Sequence, residues 1–186
     1  TDRLLLRPFQ VSDTDSVHAY ARNPENVYYM VWGPNKKHDT ENFILDCINK
    51  EAATPRTAFD FAVIIKQTGQ LIGGCGLYCE RDGKQASMGY ILHKDYWHTG
   101  YGTELAGELL RLGFLELGLH RIYATCNAEN RSSYRVMERI GMRREAHFIK
   151  SRYERMGNEK IWADELVYAI LKEEWSKSPR NPLLNN

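Results

Sequence analysis

The chain has 186 residues, 42% of them hydrophobic and 26% charged, with a formal net charge of +1. That length suits one domain able to bury roughly 70% of its unfolded surface, and the composition excludes a disordered or fibrous chain. The near-zero charge argues against a direct nucleic-acid footprint, no apolar run reaches the roughly 20 residues of a membrane span, and no secretory leader opens the chain, so a cytoplasmic protein is expected.

In chain order, Asp2-Arg3-Leu4-Leu5-Leu6-Arg7-Pro8 predicts a first strand over 3–8, followed by helices over 13–22, near 24–31 and over 40–52. In the last of these, Phe43, Ile44, Cys47 and Ile48 recur at helical spacing and predict a face packed on a sheet. Tyr28, Tyr29, Met30 and Trp32 precede Gly33-Pro34 and place four large side chains in one short segment, which either joins a core or walls a ligand pocket. Strands follow over 59–66, 70–81 and 85–92. Their connections, Gln67-Thr68-Gly69-Gln70 and Arg81-Asp82-Gly83-Lys84, have hairpin-turn chemistry.

The strand ending at Leu92 hands over to His98-Thr99-Gly100-Tyr101-Gly102-Thr103-Glu104, which opens a helix over 101–117. Leu105, Leu109, Leu110, Gly113, Phe114 and Leu117 form its apolar face. The first four amides of a helix lack internal partners and carry about half a positive charge, so this junction suits a phosphate group. Glycine at 100 and 102 would let the anion approach bare backbone. The same pair also suits a turn followed by a close helix contact. A Rossmann fingerprint would need glycine at Leu105, and a P-loop would need Gly-Lys-Ser/Thr, so neither a dinucleotide nor a nucleoside triphosphate is indicated.

A short strand over 121–126 leads to a helix over 131–140, capped by Asn130 and stopped at Gly141. Ser133 shares a face with Met137 and Ile140, and is either a locally bonded hydroxyl or one aimed at chemistry beside the sheet. Strands over 142–154 and 160–171 complete the pattern. Residues 1–176 read as a single domain and 177–186 as a flexible tail with two prolines. The four cysteines lack paired metal-ligand spacing, so they read as reduced core thiols and no metal is expected.

The run from Gly89-Tyr90-Ile91-Leu92 through Trp97-His98-Thr99-Gly100-Tyr101-Gly102-Thr103-Glu104 resembles the acetyl-CoA core of GNAT acetyltransferases. So do Leu117-Gly118-Leu119-His120-Arg121-Ile122 and Asn130-x-x-Ser133-x-x-Val136-Met137-Glu138-Arg139-Ile140-Gly141-Met142. The opening strand, and Trp162-Ala163-Asp164-Glu165-Leu166-Val167-Tyr168 before Glu173-Glu174-Trp175, are most similar to the RimJ/RimL-like ribosomal-protein N-terminal acetyltransferases.

The resemblance implies an α+β fold: a mixed, mostly antiparallel sheet of about seven strands, helices on both faces, and a splayed cofactor cleft. It implies acetyl-CoA as donor and direct attack by an amine, giving a tetrahedral intermediate that expels the CoA thiolate. Backbone at Ile91, Leu92 and His93 would hold the pantetheine and polarise the carbonyl. His98, Thr99, Gly100, Tyr101, Gly102 and Thr103 would hold the pyrophosphate, and Asn130 the pantetheine arm. Ser133 would protonate the departing thiolate, and Tyr28, Tyr29 and Trp32 would face the acceptor.

Five positions depart from the resembled pattern. Trp97 stands where Arg or Gln is usual, His98-Thr99 where Gly-Gln is usual, and Met137 where many members have a tyrosine acid. Ser87 stands where the subfamily often has a glutamate base. Asp164, together with Glu145, His147 and Glu165, would replace that base through a water or simply form salt pairs.

A site without its usual base favours an amine that is already neutral, hence an N-terminal α-amine such as that of a ribosomal protein over lysine or a polyamine. A small amine such as an antibiotic, or a polyamine, remains an alternative acceptor. An acetyl-CoA sensor with weak catalysis is a second class, and a nucleotide-dependent enzyme of another fold a third. Either a monomer or a homodimer is compatible with the sequence.

Overall fold

The computed structural model describes residues 1–156 and 159–178. Its strands are β1 (Leu4–Arg7), β2 (Ala58–Ile65), β3 (Leu71–Cys79), β4 (Gln85–Leu92), β5 (Arg121–Asn127), β6 (Arg143–Met156) and β7 (Glu159–Leu171). The α-helices are α1 (Thr14–Ala21), α2 (Lys37–Ala52), α3 (Tyr101–Arg111), α4 (Arg131–Arg139) and α5 (Lys172–Lys177). The strands form one seven-stranded sheet in the order β1-β2-β3-β4-β5-β7-β6. Every neighbouring pair is antiparallel except β4 with β5.

Both faces of the central sheet are covered, which is why β2 and β3 read as almost unbroken apolar runs. Period-2 alternation sends Val63, Ile65, Leu77 and Met88 to one face, where they meet Leu105, Leu109, Phe114 and Met137. Ala62 and Ile64 point to the other face, against Phe9, Val17, Tyr20, Ile44 and Cys47 of the α1/α2 layer. The four cysteines are free thiols.

The expected elements recur with three differences. The segment over 24–31 is a succession of turns rather than a short helix, with Val27 N–H donating to Asn23 and Met30 N–H to Val27. Its path is set by Asn26, a buried side chain that donates to the Leu92 carbonyl at 2.7 Å and accepts from Lys94 N–H at 3.2 Å. The helix expected over 101–117 ends as α3 at Arg111 and continues as one π turn over Leu112–Glu116. Within it, a Cβ on Gly113 would lie 2.6 Å from Ile122 Cδ1, so the wider turn sits where helix and sheet approach most closely. Third, Glu173-Glu174-Trp175 belong to the short helix α5, whose Trp175 ring lies 5.5 Å from that of Phe114. The expected tail begins inside α5 at Lys177, and 179–186 lie outside the described residues.

The pairing of β4 with β5 positions everything that follows. It covers only Gln85, Ala86 and Ser87 against Arg121, Ile122 and Tyr123. Beyond that row β4 stays with β3 as far as Leu92, and β5 stays with β7 as far as Asn127. The two central strands therefore part company, leaving an open edge on each.

The β3 side of that divergence tolerates no added atom. A Cβ on Gly73 would stand 2.1 Å from the Ile91 carbonyl oxygen and 3.0 Å from Leu92 Cα, both backbone. Gly73→Ala is expected to force β4 away from β3 and to lower stability by about 2 kcal/mol or more, read as a lower urea midpoint at unchanged m-value.

Candidate active site

A cleft of about 540 Å³ opens where β4 and β5 diverge, between the N-terminal end of α3 and the side of α4. It brings together Tyr28, Tyr29, Ile91, Leu92, His98, Gly100, Gly102, Thr103, Asn130 and Ser133 of the sequence-predicted residues. His93, Thr99 and Tyr101 are not among its lining. The His93 amide donates to Ile72 at 2.7 Å, and its ring nitrogen accepts from Asp95 N–H at 3.3 Å. The Thr99 hydroxyl donates to the Tyr96 carbonyl at 2.7 Å, and the Tyr101 ring lies under the Arg3 guanidinium, 4.5 Å from its centroid.

Strand alternation assigns the free amides. With His93 N–H directed at β3, the Ile91 amide faces β3 as well, and the amides of Tyr90 and Leu92 face the open edge. The Leu92 carbonyl on that edge is doubly bonded, by Asn26 at 2.7 Å and by the Trp97 indole N–H at 2.9 Å. That second bond is the structural work of the residue standing where Arg or Gln was expected.

The turn into α3 uses left-handed backbone twice, at His98 (φ 61°) and at Gly100 (φ 86°). Gly102 serves both readings of its sequence position: it lines the cleft, and a Cβ there would approach Val136 Cγ2 on α4 to 3.3 Å. The acidic residue of this first turn, Glu104, is neutralised from the segment that precedes β1. The Arg3 side chain meets it at 2.6 Å, the Arg3 amide at 2.9 Å and the Thr1 hydroxyl at 2.6 Å. Burial alone would raise the Glu104 carboxyl, but these donors hold it below its ordinary range. Arg3 also donates to the Thr99 carbonyl at 3.1 Å, so one side chain braces both loop and helix start.

Three arginines of α4, Arg131, Arg135 and Arg139, line the cleft at i, i+4 and i+8. Their helical spacing, visible in the sequence, gives the cleft a basic edge. With the α3 amides it makes the cleft a site for a polyanion. At the inner end, Asn130 caps α4 by accepting from Ser133 N–H at 3.1 Å. The Tyr90 hydroxyl donates to the Ser133 carbonyl at 3.0 Å and lies 3.3 Å from its Oγ. Burial drives the Tyr90 phenol well above its ordinary range, so it keeps its proton as a hydrogen-bond donor. Burial likewise pushes the neighbouring Cys126 thiol up to about 11.

A second cavity of about 670 Å³ lies on the α1/α2 face and shares Met30, Tyr90 and Ile91 with the first. Trp32, Gly33 and Pro34 wall it with Phe9, Tyr20 and Phe43, while Gly74 and Gly89 lie at its floor. Of the three aromatic residues expected at an acceptor pocket, Trp32 lies here and Tyr28 and Tyr29 lie in the first cleft. Asp60 lines the second cavity and is a further residue the sequence reading missed.

Asp164 lines neither cavity, and the structure does not bring it to the chemistry. Its oxygens accept from Lys150 N–H at 2.9 Å and pair with His147 Nε2 at 2.8 Å, which pins a bulge of β6 where Lys150 has φ 45°. The Lys150 amide and His147 hold its carboxyl below the usual range. Glu145 pairs with Arg143 at 2.6 Å, and Glu165 with Arg152 at 3.0 Å. Ser87 occupies the last paired row beside Tyr123 and also lines neither cavity. No cluster of three His, Cys, Asp or Glu suited to a metal occurs among the described residues, and no described helix is long and apolar enough to cross a membrane.

Residues 3–143 match the family described as acetyltransferase (GNAT) domain. An uncharacterized N-acetyltransferase of Bacillus subtilis, YnaD, is 39% identical over 176 residues, 95% of this chain and 98% of that one. The crystal structure of a GNAT-family acetyltransferase from Bacillus anthracis is 37% identical with a TM-score of 0.80, covering 92% of this chain and 96% of its own. A spermidine N-acetyltransferase of Vibrio cholerae, crystallised with CoA and spermine, shares the fold at 21% identity and a TM-score of 0.79, over 95% of this chain and all of that one (100%). A cleft shaped for a polyanion and a near full-length match thus agree: this chain belongs to the GNAT family and is an N-acetyltransferase.

Proposed function

We propose that the enzyme transfers the acetyl group of acetyl-CoA to an α-amine, such as a peptide or ribosomal-protein N-terminus, that enters through the second cavity. One observation carries the choice of amine. The residues shared by the two cavities, Met30, Tyr90 and Ile91, include no carboxylate. Among the described lining residues, Glu25 is ion-paired with Lys94 at 2.7 Å, Asp39 accepts from Lys36 N–H at 2.8 Å, and Asp60 lies two strands from Gly89. The attacking amine must therefore arrive neutral. An α-amine with pKa near 8 is neutral to about a tenth at pH 7, whereas a lysine amine near 10.4 pays about 3.5 kcal/mol more for deprotonation.

Acetyl-CoA supplies an activated thioester when bound. The α3 amides and the α4 arginines suit its phosphates, the open-edge amides of Tyr90 and Leu92 suit its pantetheine and carbonyl, and Asn130 borders the same arm. The Ser133 hydroxyl supplies a donor to a sulfur gaining negative charge, and Tyr90, which donates to the Ser133 carbonyl and lies 3.3 Å from its Oγ, positions it.

Three outcomes test this reading. Gly102→Leu should weaken CoA binding at least tenfold by calorimetry, and adding Val136→Ala should not restore it. Recovery in the double variant would make Gly102 a helix-packing residue alone. Ser133→Ala and Tyr90→Phe should each lower kcat about tenfold with a smaller change in KM, and together by less than the product, because the two hydroxyls act as one unit. A peptide with a free N-terminus and an internal lysine, mapped by mass spectrometry after turnover, should carry acetyl on the α-amine. Predominant acetylation of the lysine would show that a base serves the site.

A further inference from the structure

We infer that Asp60 is an acceptor-recognition site, which receives a second cationic group, ammonium or guanidinium, carried by the amine that is acetylated. The inference rests on the second cavity being the acceptor's. Asp60, Gly76 and Gly89 are register partners across β2, β3 and β4, so they form one row over three adjacent strands. At roughly 4.8 Å per strand, Asp60 stands about 10 Å from Gly89, too far to touch an amine at the β4 edge but within the length of a small acceptor.

The floor between them is bare. A Cβ on Gly76 would lie 2.8 Å from the Tyr78 hydroxyl and 3.0 Å from the Phe59 carbonyl, so glycine there lets Tyr78 fold across the row. The Tyr78 hydroxyl then donates to Asp60 Oδ1 at 2.7 Å. At Gly89 an added Cβ would meet only Tyr78, at 3.9 Å, which leaves that end open.

Asp60 is 8% exposed, and its second oxygen, Oδ2, is buried without a hydrogen-bond partner. A buried carboxylate oxygen without a partner is costly to the fold and is the feature a ligand cation would satisfy. The nearby cations are engaged elsewhere: Lys50 pairs with Asp46 at 2.5 Å, and Arg56 lies 3.8 Å from Glu51 and donates to the Ala58 carbonyl at 3.1 Å. Burial pushes the Asp60 carboxyl up, opposed by the Tyr78 hydrogen bond and by the charges of Lys50 and Arg56. The lining includes the aromatic side chains Phe9, Tyr20, Trp32 and Phe43 and a second carboxylate, Asp39, a composition that suits an organic cation.

Three amides provide the test: norleucinamide, lysinamide and argininamide, each with one α-amine and an unbranched side chain, assayed by CoA-thiol release at saturating acetyl-CoA. The wild-type enzyme should prefer lysinamide or argininamide over norleucinamide by about 10–100-fold in kcat/KM, the range of a hydrogen bond to a charged group. In Asp60→Asn that ratio should collapse to within about threefold. A wild-type ratio near one, or a ratio unchanged in Asp60→Asn, overturns the inference. So does an equal loss of kcat on all three amides with a flattened pH profile, which would make Asp60 a base acting through water. Mass spectrometry of the lysinamide product separates the two proposals, because acetyl on the ε-amine refutes the α-amine reading while the Asp60-dependent ratio stands. If no amide is turned over, calorimetric titration of lysinamide and norleucinamide into CoA-loaded enzyme decides Asp60 alone, equal affinities refuting it.

Discussion

The structure depends on a short parallel pairing that stops. Three rows hold β4 to β5, and beyond Ser87 and Tyr123 each strand keeps only its outer neighbour. A sheet that loses one internal ladder exposes backbone amides and carbonyls that must be satisfied. Here that requirement becomes the site: the open edge of β4 presents two amides, and its terminal carbonyl is closed off by Asn26 and Trp97.

The elements around the divergence are braced from distant parts of the chain. Asn26 ties the 24–31 turns to the end of β4, Arg3 ties the first strand to the start of α3, and Gly102 lets α3 and α4 come together. Glu104 would repel an anion at the helix start, and its three donors from Thr1 and Arg3 remove that conflict while fixing the loop's path. The left-handed residues His98 and Gly100 are held in place by these contacts.

The two faces of the sheet are chemically different at their meeting point. The α3/α4 side is basic and open to a polyanion, and the α1/α2 side is aromatic with a buried carboxylate at its far end. Tyr90 and Ile91 alternate between these faces on adjacent positions of one strand, so a single stretch of β4 contributes to both cavities. The acceptor half is where likeness of fold carries least information, since one fold serves many amines.

Much of the molecule was legible from local pattern. The strands of the two hairpins, the capped α4 and the glycine turn into α3 follow from periodicity and turn chemistry acting over a few residues, and the GNAT resemblance from motifs shared with a known family. What lay beyond reach depended on neighbours distant in sequence. The 24–31 segment has helix-compatible residues, but Asn26 bonds to Leu92, 66 positions away, and that contact outweighs local propensity. In the sequence Asp164 reads equally as a base acting through water and as a salt-pairing residue, and folding decides for pairing by bringing His147 and the Lys150 amide onto its oxygens. Asp60 sat unnoticed inside an apolar strand, since only the register of β2 with β3 and β4 places it in line with Gly76 and Gly89 at the foot of a cavity. Sequence by itself determined most of the elements, which rest on short-range geometry, and the family, which rests on its motifs; tertiary structure alone decided which carboxylates are already paired and which line a cavity, because pairing across a sheet is a long-range property.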